Sequence, residues 1–473
     1  ADYRLTDKVS LFGELFFTHR ESNQMAAPGA LRDIRIAADH PTNPTGQDLL
    51  LIRRLLVEPG QRQFFQETDT YRFVGGARGD IVGDWTWEAA ANWGLNTGVD
   101  GMTNIVNLQR LGDTLNTSLC SPTPGAAVPC GDYLGMGDVN QDVLNYILFN
   151  SRDTGGNEQK SFTFDVSGTV MELPAGSLAM AAGLVYREEK GWRDPDALTV
   201  LGYANTNQQD PIAGETKAKE AYVELSAPLL SDLPFVQRLE LDGAVRYSDY
   251  DMFGGNTTYK LGLNWSVVDS LRLRATYGTG FRIPSVPELY GGVAEGNLTT
   301  TDPCSRYSDS GDAVLIANCA ASGVPAGYVQ MGNSILTTVG GNEMLQPEST
   351  ETLTLGLVWQ PTQISGLTLT ADYFDIKVED AIRSIPGSTK LAICYATPNM
   401  DHPFCKPDSF TRNPLTGEVN YLSAQPSNTG LETMKGVDIG VRYAFDIGQR
   451  RASLDWNTTY LDEYVITPFE GGD

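Results

Sequence analysis

Six cysteines, three histidines and one run of spaced acids are the residues whose types could do chemistry in this 473-residue chain. The cysteines come as three neighbouring couples, Cys120 with Cys130, Cys304 with Cys319, and Cys394 with Cys405. None has the two-residue spacing of a zinc ribbon, and His19, His40 and His402 are scattered, so the pattern argues against a zinc site. Disulfides are the expectation, with buried free thiols as the alternative; six cysteines allow many connectivities and the sequence selects none. Bridges would place the chain in an oxidising compartment. Asp138, Asn140 and Asp142 have the one-three-five spacing of a calcium loop. Val143 stands where such a loop needs glycine and Leu148 where it needs a bidentate acid, so no metal is expected there. The motifs HExxH, GxSxG and Walker A are absent, and three histidines leave few general bases. The expectation is a protein that is not an enzyme, with no catalytic residue and no cofactor.

The other chemistry-bearing cluster is arginine. In residues 271–290, LRLRATYGTGFRIPSVPELY, Leu271, Leu273, Ala275, Tyr277 and Phe281 alternate with Arg272, Arg274, Thr276, Gly278, Gly280 and Arg282. A period of two means a strand with one apolar and one polar face. Alone, the stretch fits a soluble sandwich and a membrane barrel about equally. In a barrel Arg272, Arg274 and Arg282 would face the lumen, and Glu240 or Asp242 on a neighbouring strand are their expected partners, ahead of a plug or an anionic solute. Pro284 would end the strand by removing a ladder donor.

The elements that position these residues follow from the whole chain. A formal net charge of −25 supplies no basic stripe for phosphate, so nucleic acid is not an expected partner. No run of about 18 apolar residues occurs, which excludes helical membrane spans and leaves a barrel open. Residues 1–8 have neither the basic nor the apolar region of a signal peptide, so the chain reads as a mature protein or a fragment. Alternation marks about thirteen strands, from residues 9–19 to 454–460, while LLLIRRLLVEPG fits either a helical turn or an extended stem. Every second connection is a tight turn. The long connections, holding all six cysteines, fall between. Membrane barrels sort their connections in this way and sandwiches do not. The predicted fold is therefore all-β, an antiparallel transmembrane outer-membrane β-barrel with short periplasmic turns and long extracellular loops.

At the level of motifs the chain resembles the TonB-dependent outer-membrane receptors of the large-looped proteobacterial kind. The carrying residues are Gly280-Phe281-Arg282-Ile283-Pro284 with Glu288-Leu289, then Gly340-Gly341-Asn342 and Leu345-Gln346-Pro347-Glu348-Ser349. LPAGSLAMAAGLVYREEKGW at 173–192, RYSDYDMFGG at 246–255 and ADYFDIKVEDAI at 371–382 are similar to the same family. The resemblance implies an integral barrel of the bacterial outer membrane, in contact with its lipid. It implies import of a siderophore, cofactor, glycan or peptide, driven by a TonB-type inner-membrane complex acting on a plug. No plug, coupling box or final aromatic strand end is recognisable, so residues 1–473 read as a barrel domain incomplete at both ends. Ligand capture would belong to the long loops, where Tyr307, Tyr328, Tyr395 and His402 are the expected contacts. The rivals are a passive porin-like or surface-structural barrel, and a soluble β-sandwich adhesin.

Overall fold

A computed structural model describes residues 1–467 except 136, 293, 331–333 and 429. Its wall is one sheet of fourteen strands that follow one another in sequence order. They are β1 (Asp2–Arg4), β2 (Val9–Ala26), β3 (Arg62–Asp80), β4 (Thr86–Met102), β5 (Asp153–Leu173), β6 (Gly176–Asp194) and β7 (Ile212–Leu233). The second half contains β8 (Val236–Tyr250), β9 (Gly254–Val268), β10 (Leu271–Arg282), β11 (Glu348–Trp359), β12 (Leu367–Glu379), β13 (Leu431–Ile447) and β14 (Arg450–Thr467). Every adjacent pair is antiparallel. Among the described residues the first and last strands are not paired with each other, so the sheet is an open trough.

All thirteen expected strands are present. The fourteenth, β1, is three residues long, too short for alternation to register. The strands are also longer than alternation showed: β5 has 21 residues, against the 9 to 11 or so that cross a bilayer. The excess carries charge. On the outward face of β5, Phe162 and Phe164 are exposed, and the same face then continues into Lys160 and Glu158. Lys160 pairs with Glu158 at 3.2 Å, and Lys190 bridges Glu188 at 3.1 Å and Glu215 at 2.9 Å. A row of ion pairs does not belong in hydrocarbon, so it sets the outer limit of the apolar band.

Large apolar side chains cover the outward face: Leu15 is 82% exposed, Leu184 59% and Tyr460 63%. The buried core lies elsewhere. Among the described residues, the clusters of buried apolar side chains are built mainly from the long connections at one end of the sheet. That end carries 27–61, 103–152, 195–211, 283–347 and 380–430, with only 251–253 short; the other end has turns such as 174–175, 234–235 and 448–449. The ambiguous LLLIRRLLVEPG is a loop hairpin, Leu49–Leu55 paired with Ala30–Ile36. It packs Leu31, Ile34, Ile36 and Leu56 against Val106, Leu111, Tyr133 and Ile147 of the next long loop. Thus loop 27–61 folds with 103–152 and loop 283–347 with 380–430, each pair a small domain seated on the rim.

Candidate ligand-entry face

The face begins where β10 ends. Pro284 lacks the N–H that would continue the ladder, and the chain turns across the inside of the sheet. Ser285 and Glu288 form a capping box, with the Ser285 amide donating to Glu288 Oε2 at 2.7 Å and the Ser285 hydroxyl at 2.8 Å. This starts a one-turn helix, Val286–Tyr290. The helix rests on the inner face of β6 and β7, where the wall has glycines. A Cβ at Gly191 would lie 3.2 Å from Val286 Cγ1, and one at Gly214 would overlap the Tyr290 ring. Residues 283–290 are therefore a strap laid into a glycine-floored seat.

Motif segments far apart in sequence meet to fasten it. Arg282 donates from Nε to Glu348 Oε2 at 2.6 Å and from Nη1 to Glu288 Oε2 at 2.9 Å. The Asn342 amide donates to the Glu288 carbonyl at 2.7 Å, and the Gly341 amide to the Gly291 carbonyl at 2.5 Å. Leu289 is buried with Leu345 and Ile382. Burial alone would raise the Glu288 carboxyl, but Arg282 and the Ser285 donors outweigh it and hold it below the usual carboxylate range.

Between the strap and the inner wall lies a trough of about 900 Å³, lined by Gln66, Thr68, Asn96, Asp100, Asn157, Gln159 and Arg193 from β3 to β6 and by Ser285, Val286 and Pro287. The arginine on the trough's inner wall is matched internally. Arg193 donates to Asp100 Oδ2 at 3.0 Å and to Asp153 Oδ2 at 2.8 Å. Below the trough, Arg274 on β10 reaches Asp372 on β12 with two hydrogen bonds of 2.8 and 2.6 Å. The intervening strand has Gly356 at that register, and a Cβ there would overlap Asp372 Oδ1. Tyr222 and Asp165 repeat the arrangement at 2.6 Å over Gly183.

The expected partners of the arginines are corrected. Glu240 accepts from Ser226 and Arg238 and Asp242 from Asn264, while Arg274 takes Asp372 and Arg282 takes Glu288 and Glu348. Arg272 makes no ion pair among the described residues. For Arg274 the neighbouring strand is passed over, because Gly356 lets the side chain reach the next strand; Arg282 does pair with its neighbouring strand, but on the β11 side, where Glu348 lies directly opposite.

The tyrosines expected as ligand contacts do not lie on the loop surface. Tyr307, Tyr328 and Tyr395 are buried in the domain that loops 283–347 and 380–430 build together. Tyr307 donates to the Val324 carbonyl at 3.0 Å, Tyr328 to Asp302 Oδ2 at 3.0 Å, and Tyr395 to Ser322 Oγ at 3.2 Å. At the centre is an ion pair the sequence did not show: Arg412 donates to Asp302 Oδ2 at 2.6 Å and Oδ1 at 2.7 Å, and to the Tyr395 hydroxyl at 2.6 Å. Burial and the Asp302 carboxylate push the Tyr328 hydroxyl well above its usual range. His402 is half-buried, its ring 4.7 Å from that of Phe404, and burial lowers its pKa. All six cysteines are bridged, Cys120–Cys130, Cys304–Cys319 and Cys394–Cys405, each within one loop. His40 lies beside the first bridge, whose sulfurs are committed to each other and are not thiolate ligands. Asn140 caps the helix Gln141–Ile147 by accepting from the Val143 amide.

Comparison with known proteins agrees with this architecture. A family model described as "TonB dependent receptor-like, beta-barrel" matches residues 27–473. The vitamin B12 transporter BtuB of Vibrio vulnificus is 31% identical over 147 residues, which are 31% of this chain and 22% of that protein. Among solved structures, a mutant of the ferric enterobactin receptor PfeA from Pseudomonas aeruginosa matches 98% of this chain and 50% of its own, with a TM-score of 0.52 at 13% identity. The RagAB peptide transporter matches 100% and 46%, with a TM-score of 0.51 at 14% identity. The chain spans about half the length of these receptors, and at such identities they show the fold alone. With the motif knot, the sorted loops and the match over residues 27–473 in place, the chain belongs to the TonB-dependent receptor family as its β-barrel domain.

Proposed function

We propose that this chain is the wall and outer mouth of an active importer in the bacterial outer membrane. In this reading a plug outside residues 1–473 sits against the inner face, and a TonB-type inner-membrane complex acts through it to release a captured solute. The observation that carries the reading is the strap. Family-motif residues Arg282, Glu288, Asn342, Leu345 and Glu348 are drawn together to hold residues 283–290 against the inside of the wall. Neither a surface scaffold nor a pore open along its length requires a fastened crossing there. The wet inner face, with its Arg274–Asp372 and Arg193–Asp100 pairs, provides a rigid polar lining, and the disulfide-bonded loops stand at the outer mouth. Barrels of about 22 strands enclose a plugged lumen, which agrees with a fourteen-strand open sheet being part of a larger wall. The test is solute uptake by cells expressing the whole receptor, with and without a protonophore. Energised import stops when the proton gradient is collapsed; uptake that persists unchanged identifies a passive pore.

A further inference from the structure

We infer that the trough beneath the strap selects a neutral, hydroxyl-rich solute, an oligosaccharide, over an anionic chelate or a free peptide. The inference rests on the importer reading and names the substrate class of that same mouth.

The argument starts from which polar groups remain uncommitted. Arg193 is held by Asp100 and Asp153, and Arg282 by Glu288 and Glu348. Lys190, which also lines the trough, is held by Glu188 and Glu215, so among the described residues each cation lining it already has a carboxylate partner. An anionic chelate entering here would have to break such a pair and leave a carboxylate uncompensated, which is costly at a half-buried site. A free peptide brings two charged termini and meets the same obstacle.

The amides and hydroxyls are in a different position. Gln66, Thr68 and Asn157 make no side-chain hydrogen bond among the described residues, although all three line the trough. Asn96 spends only its amide nitrogen, donating to Thr70 Oγ1 at 2.7 Å, and Gln159 only its nitrogen, donating to Glu189 Oε1 at 2.9 Å. Each amide offers a carbonyl acceptor, and Gln66 and Asn157 also offer two N–H donors beside it. A vicinal diol, which both donates and accepts, matches that arrangement without desolvating a charge. Gly98 and Gly155 also line the trough and leave room for a ring to approach the backbone. A volume of about 900 Å³ lies within the roughly 300–1,000 Å³ of small-molecule sites.

The full-length receptor, purified from outer membranes in detergent, is titrated by calorimetry with neutral malto-, cello-, xylo- and manno-oligosaccharide ladders, a ferric tris-catecholate and a set of free tripeptides. Expected is saturable binding of at least one neutral ladder, weakened at least tenfold by Gln66→Ala with Asn157→Ala and severalfold by Thr68→Val alone. Lys160→Ala, on the outward face, leaves it unchanged and reports intact assembly. The inference is overturned if no ladder binds, if binding survives the paired substitution, or if the catecholate or a tripeptide is the ligand those substitutions weaken. Uptake with a protonophore separates the two levels. Energised uptake of some other solute sinks only the substrate class, whereas saccharide entry without energy sinks the importer reading and leaves the site.

Discussion

Arg274 and Asp372 are bonded to each other from strands that are not neighbours, with Gly356 of the strand between them lying under the contact. The pair is half exposed to the lumen, so its own contribution is small. The glycine beneath it matters more, because any Cβ there overlaps Asp372 Oδ1.

Gly356→Val is therefore expected to destabilise the barrel by about 1–3 kcal/mol, the usual range for forcing atoms into a packed position. Urea unfolding of the refolded receptor in detergent measures it. Adding Asp372→Ala to Gly356→Val should recover most of the loss, because the closest overlap is then gone and the Arg274 side chain, 2.8 Å from such a Cβ and no longer tied to Asp372, can move aside. If the double variant is as unstable as the sum of the two singles, the glycine is not there to let this pair form.

The buried Arg412–Asp302 pair supports a second expectation. Both side chains are almost fully covered, at 6% and 1%, and removing one partner of a buried pair typically costs about 3–5 kcal/mol. Asp302→Asn should open the domain made by loops 283–347 and 380–430, read as faster proteolysis there, while the barrel strands stay protected. Tyr395→Phe keeps the ring and loses only the hydroxyl that accepts from Arg412, so its effect should be much smaller.

Disulfide removal should act on the same domain. Cys304 and Cys319 close a loop with a sequence separation of 15, for which chain-entropy arguments give about 3 kcal/mol. Both are fully buried. Intact receptor should resist dithiothreitol at this bridge, and Cys304→Ser with Cys319→Ser should loosen the loops without preventing barrel assembly, as seen by heat-modifiable mobility.

Acid is expected to weaken this loop domain through His402. Burial holds its folded pKa below 6.5, so between the two values the unfolded loop binds the extra proton and the folded loop does not. Stability is then full above about pH 6.5 and falls as pH drops toward the folded pKa. Hydrogen exchange of residues 398–412 between pH 7 and pH 5 follows it, and His402→Gln should flatten the acid-side loss.

The wall was legible in the sequence because lipid on one side and water on the other impose a period of two. Leu353, Leu355 and Leu357 are exposed outward, as their alternation implied. What failed was whatever depends on contacts across the chain. Strand ends beyond the apolar band, such as Glu158 and Lys160, carry charge on the face that is apolar below, and so break the pattern that would reveal them. That Tyr307, Tyr328 and Tyr395 are buried is not legible in the sequence, because nothing local shows that two loops close over them. The Asp302–Arg412 pair is hidden for the same reason, its members being 110 residues apart. In the sequence the motif residues are separate signs of kinship; that Arg282, Glu288, Asn342 and Glu348 make one fastening appears only when 283–347 is folded.

The most direct test of the central claim places a photo-crosslinking amino acid on the two faces of one strand in the whole receptor. Thr354 lies on the inner face of β11 and Leu355 on the outer face, in successive register positions opposite Phe374 and Tyr373. The account predicts that position 354 crosslinks to a domain of the same polypeptide outside residues 1–473 and that position 355 crosslinks only to lipid. Crosslinks from both faces to protein, or none from 354 to such a domain, would contradict a plugged importer.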